Sequence, residues 1–120
     1  MNADIMNNLR TESFINGEWV GSVNQIDVLN PATGESLASV ANTSISDCLR
    51  AVDAADTAFV SWRATAPRMR AEILRKAFEI MMAEQEQLAR LITLEMGKIL
   101  ADSRAEVAYA AEFFRWFSEE

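Results

Sequence analysis

The chain has 120 residues, half of them hydrophobic and about a quarter charged, with 11 Lys and Arg against 18 Asp and Glu for a net charge of -7. That balance describes a globular domain rather than a disordered tail, and the length accommodates one domain, not separate cofactor and substrate domains. Acidity without a basic cluster excludes phosphate backbones as partners, and no apolar run reaches the roughly 18 residues of a membrane span.

The first 12 residues show no periodicity and read as an N-terminal arm. The polar start from Met1 to Arg10, with Asp4, is not a signal peptide, so the cytoplasm is the expected compartment. From Ser13 short apolar runs alternate with turn residues. Phe14-Ile15 and Trp19-Val20 flank Asn16-Gly17, a strong hairpin signal because both turn positions need positive φ. A second pair of runs, Ile26 to Leu29 and Leu37 to Val40, brackets Asn30-Pro31-Ala32-Thr33-Gly34. There Pro31 presets φ for a turn and Gly34 closes it. Residues 13 to 41 are therefore predicted to form two consecutive hairpins.

Helical periodicity follows. Ser44-Ile45-Ser46-Asp47 resembles a capping box with Asp in place of Glu, and Ile45, Leu49, Val52, Ala55 and Phe59 recur at helical spacing up to about Trp62. Thr65 and Pro67 mark the next start, since the first N–H groups of a helix lack partners in any case. Ile73, Leu74, Ala77, Ile80 and Met81 form one stripe, and Leu88, Leu91 and Ile92 another, with a break or bend expected at Gln85-Glu86-Gln87. Gly97 is the expected C-cap, and a last helix runs from about Ile99.

The last helix carries an unusually wide apolar surface. At about 100° per residue, Val107, Ala110, Ala111, Phe114 and Phe117 share one face, and Tyr109, Phe113 and Trp116 extend it round the other side. Arg104, Glu112, Arg115 and Glu119 occupy the remaining polar strip. Such a helix needs neighbours on at least two sides. It ends at Ser118-Glu119-Glu120 without a stop signal and reads as cut mid-helix. Glu106 lies within the apolar arc, where a carboxylate must find a partner; an ion pair with a distant Arg is expected ahead of a functional role.

The missing residues constrain the chemistry. With no histidine, neither a Ser-His-Asp nor a Cys-His arrangement can form, and ordinary zinc sites lack their ligands. Cys48 is the single cysteine, so no internal disulfide exists. Its place near a helix start favours thiolate formation, yet a small apolar packing role is expected. The four glycines, Gly17, Gly21, Gly34 and Gly97, make no phosphate-cradling motif. No catalytic and no cofactor-binding residue is assigned within the chain.

Taken in order, these segments resemble the aldehyde dehydrogenase superfamily. The match runs from Phe14-Ile15-Asn16-Gly17-Glu18-Trp19 through Asn30-Pro31-Ala32-Thr33-Gly34-Glu35 to Ala51-Val52-Asp53-Ala54-Ala55, with Phe59, Trp62, Arg70, Ile73 and Leu74. It closes with Thr93-Leu94-Glu95-Met96-Gly97-Lys98 and the run from Glu106 to Phe117, so it covers about residues 13 to 120. Met81-Met82, Leu88-Ala89-Arg90 and the closing aromatic helix are most similar to the bacterial succinate-semialdehyde dehydrogenase branch.

The resemblance implies an α+β fragment, two N-terminal β-hairpins followed by three to four α-helices, belonging to the larger α/β aldehyde dehydrogenase fold. Residues 13–120 would be the N-terminal part of the cofactor-binding domain, truncated within its last helix. Full-length members oxidise an aldehyde to an acid with NAD or NADP: a cysteine thiolate attacks the aldehyde, hydride passes to the nicotinamide, and a glutamate-activated water releases the acid. Those groups lie beyond position 120, so the chain alone is expected to be inactive and the cofactor to be bound elsewhere. A small aldehyde substrate and a homo-oligomeric full-length protein are implied.

Three positions match a monovalent-cation site of some members: the backbone carbonyls of Val28 and Leu29 and the carboxylate of Glu95, oxygen ligands suited to a hard cation. Tyr109 and Phe113 match the face that lines the substrate tunnel. Ile99 replaces the proline common after the Gly-Lys pair, which bears only on how the last helix starts. The alternative from a different class is a truncated, non-catalytic packing or interaction module.

Overall fold

The structure, a computed structural model, describes residues 9–120, so most of the expected N-terminal arm lies outside the described residues. The chain divides into two units: residues up to Leu29 with Gly34–Ala64, and Asn30–Thr33 with Thr65–Glu120.

In the first unit, β1 (Ser13–Ile15) pairs antiparallel with β2 (Glu18–Val20). The turn between them has φ 52° at Asn16 and 83° at Gly17, the two positive values a two-residue hairpin requires. Alternation then sorts the side chains: Ile15 is buried, while Phe14 and its cross-strand partner Trp19 meet on the other face, their rings tilted at 54° with centroids 4.9 Å apart. Arg10 lies 5.2 Å over the Trp19 ring. The second hairpin joins β3 (Gln25–Leu29) to β4 (Ser36–Ala41), with a register irregularity between Val28 and Leu29. Thr11 accepts a hydrogen bond from Ala41 N–H at 2.8 Å through its carbonyl, which ties the preceding chain to this hairpin. Both hairpins match the sequence reading.

The same unit contains α1 (Ile45–Trp62). Ser44 caps it, its Oγ accepting from Asp47 N–H at 3.1 Å and donating to Asp47 Oδ2 at 2.8 Å. The helix packs against β1, yet none of its residues is fully buried. Its apolar stripe of Ile45, Leu49, Val52 and Phe59 stays exposed in this chain.

The second unit is helical: α2 (Pro67–Ala83), α3 (Gln85–Met96) and α4 (Leu100–Glu119). Pro67 opens α2, where its missing N–H costs nothing. The break expected at Gln85-Glu86-Gln87 falls one residue earlier, on Glu84 at φ −100° and ψ 10°, and those three residues open α3. Gly97 ends α3 in the left-handed region at φ 74°, and its N–H donates to Thr93 O at 2.9 Å. A Cβ at Gly97 would stand 3.0 Å from Pro31 Cγ, so this glycine answers both to its backbone angle and to a close neighbour.

Helix α4 packs on both α2 and α3, and the core of the unit is built from small side chains: Ala89, Ser103, Val107 and Ala111. Ser103, Val107 and Ala111 sit four residues apart, forming one ridge narrow enough for close backbone approach. The fully buried Ser103 hydroxyl is satisfied by Thr93 Oγ1 at 2.9 Å. At the surface, Glu86 on α3 accepts from Arg90 Nε at 3.0 Å and from Arg104 Nε and Nη2 at 2.7 and 3.0 Å. Gln85 Nε2 donates to Arg104 O at 3.1 Å beside it, so one corner of α4 is held by two consecutive residues of α3.

Candidate functional site

Burying the small-residue ridge of α4 turns its aromatic arc outward. The outward arc comprises Tyr109, Phe113, Trp116 and Phe117, exposed by 67, 49, 62 and 62%. Tyr109 and Phe113, one helical turn apart, meet edge to face with centroids 5.1 Å apart and ring planes at 85°. With Glu112, the four rings line an open hollow of about 380 Å³. Sequence periodicity placed Phe117 on the face of Val107, but the i, i+4 step from Phe113 was the available signal that it joins this arc.

The wall is almost wholly apolar. Glu112, its one charged member, is neutralised along the helix by Arg115, whose Nη2 and Nε donate to Glu112 Oε2 at 2.6 and 2.9 Å. That hydrogen bond raises the Arg115 pKa above the ordinary guanidinium value. Among the described residues, none that lines this wall is a cation. What the arc offers a ligand is an open apolar hollow with one phenol in its lining.

Glu106 points elsewhere. It pairs with Lys98, eight residues earlier, and not with the distant Arg that its position in the apolar arc led one to expect. Its side chain is 44% exposed, so it is a surface ion pair that ties the α3–α4 connection to α4.

The cation-site positions are divided between the units. Val28 and Leu29 lie on β3 in the first, at the point where the ladder register shifts, and Glu95 lies in the second. Glu95 is exposed and occupies the last turn of α3, which carries no basic residue. A carboxylate at the negative end of a helix dipole is unfavourably placed by that field. Among the described residues, no group of three or more His, Cys, Asp or Glu is arranged to hold a metal ion.

Cys48 is exposed in the first turn of α1, contrary to the buried packing role expected of it, and no acid–base partner is hydrogen-bonded to it among the described residues. Gly17, Gly34 and Gly97 have positive φ, in two turns and one helix cap. No described helix is long and apolar enough to cross a membrane.

The aldehyde dehydrogenase family profile matches residues 19–120. The chain belongs to the aldehyde dehydrogenase family, and its hairpins and helices are a fragment of that fold. It is 47% identical over 116 residues to the Escherichia coli succinate-semialdehyde dehydrogenase [NADP(+)] GabD, covering 95% of this chain and 24% of that protein. Identity to a glutarate-semialdehyde dehydrogenase of Pseudomonas putida is 46%, over 92% of this chain and 24% of the relative. Among solved structures, an NADP-dependent enzyme of E. coli superposes with a TM-score of 0.90 at 46% identity, over 94% of this chain and 24% of the other. The chain thus spans about a quarter of the length of the relatives it matches.

Proposed function

We propose that this chain is the N-terminal portion of an NAD(P)-dependent aldehyde dehydrogenase that oxidises succinate semialdehyde to succinate through a cysteine thioester. The observation that carries the reading is the 47% identity, across nearly the whole chain, to a protein named for that reaction. Residues 13–120 form part of its cofactor-binding domain. Bound NAD or NADP supplies the hydride acceptor. Gly17, Gly34 and Gly97 serve two turns and a cap, and in this reading the nucleotide is held by parts outside the chain. The full-length protein acts in the cytoplasm as a homo-oligomer on a small aldehyde.

In this reading Tyr109 and Phe113 line the approach to the reacting carbon. Their apolar surface excludes water from the methylene part of the substrate, while the substrate carboxylate is held by cationic groups elsewhere. By the resemblance alone, the Val28 and Leu29 carbonyls and the Glu95 carboxylate are proposed as ligands of a monovalent cation.

The test is reduction of NAD and NADP by the full-length protein with succinate and glutarate semialdehydes. We expect the higher kcat/KM with the shorter substrate, since one methylene shifts discrimination by about 1–3 kcal/mol. A preference for the longer one would overturn the substrate assignment, and no reduced nucleotide with any aldehyde would overturn the reaction. The 120-residue chain by itself should show no turnover; hydride transfer by a clean sample would refute the placement of the catalytic groups outside it.

A further inference from the structure

We draw no further inference here: the strongest candidate, the exposed aromatic face of α4 around Tyr109, Phe113, Trp116 and Phe117, carries nothing beyond the tunnel-lining role already proposed, because nothing in the structure shows what else covers it.

Discussion

Substituting alanine at Gly97 tests two constraints at once, of which Gly34 bears only the first. Gly97 has φ 74° and Gly34 has φ 75°, so an alanine at either meets the same left-handed backbone. That conformation costs an L-residue about 1–2 kcal/mol, partly offset by the roughly 0.4–1 kcal/mol gained as the unfolded chain loses freedom. Gly34→Ala should therefore destabilise by about 1 kcal/mol, as its Cβ would meet nothing within 4 Å. At Gly97 the added Cβ would stand 3.0 Å from Pro31 Cγ, well inside the roughly 3.5–4.0 Å optimum for carbon pairs. Relieving that overlap by shifting the turn adds about 1 kcal/mol more, giving about 2 kcal/mol in all. Asparagine sharpens the comparison: it tolerates positive φ, so Gly34→Asn should be nearly neutral, whereas Gly97→Asn keeps the clash. The readout is the thermal unfolding midpoint of the full-length protein for G34A, G97A, G34N, G97N, P31A and the G97A/P31A pair. Removing the pyrrolidine ring should recover part of the Gly97→Ala loss, a coupling of about 1 kcal/mol. If G97A and G34A shift the midpoint equally, or if P31A recovers nothing, the Pro31 contact is not a constraint and the reasoning fails.

Four further outcomes follow from the helical unit. Hydrogen bonds from two arginines, Arg104 first and Arg90 second, hold the Glu86 carboxyl at about 2, below its ordinary 4.5. Its folded-state pKa is depressed, so its contribution is complete above pH 4.5 and is lost as pH falls towards about 2; the midpoint difference between wild type and Glu86→Gln should shrink across that window, and a constant difference would refute the assignment. Ser103→Ala should cost about 1 kcal/mol by depriving Thr93 of its hydroxyl partner, and Ser103→Leu about 1–3 kcal/mol by forcing α3 and α4 apart, with calorimetry expected to place Leu as the more damaging. Phe113→Ala, at a half-exposed ring, should leave the unfolding midpoint nearly unchanged while raising KM for the aldehyde several-fold in the full-length enzyme; unchanged kinetics would remove it from the tunnel lining. Adding potassium or sodium chloride should raise the midpoint of the wild type beyond a choline chloride control and not that of Glu95→Gln, and an equal response would exclude Glu95 as a ligand.

How much of this was readable beforehand depends on the range of the interaction involved. Turns, caps and breaks rest on a residue's own φ preference or on partners within four positions. Asn16-Gly17, the Ser44 cap, Pro67 and the Gly97 C-cap were therefore legible one by one. So was the family, because its motifs keep their order along nearly the whole chain. The candidate site was legible as a set of residues on one helix but not as a surface. Periodicity grouped Phe117 with Val107 and Ala111, whereas the buried row advances about 40° with every four residues and leaves Phe117 about 120° from Ala111.

By itself, then, the sequence determined the elements, most of their ends and the kinship with aldehyde dehydrogenases, since each rests on local backbone chemistry or on order along the chain. Only the tertiary structure decided which face of α4 is covered: the small side chains Ser103, Val107 and Ala111 go inward because they let helix backbones approach closely, and the rings are left outside. It also decided the partners of Glu86, Glu106 and Gly97, which lie 18, 8 and 66 positions away at Arg104, Lys98 and Pro31. No periodicity encodes such separations, because they follow from where whole helices and turns come to rest.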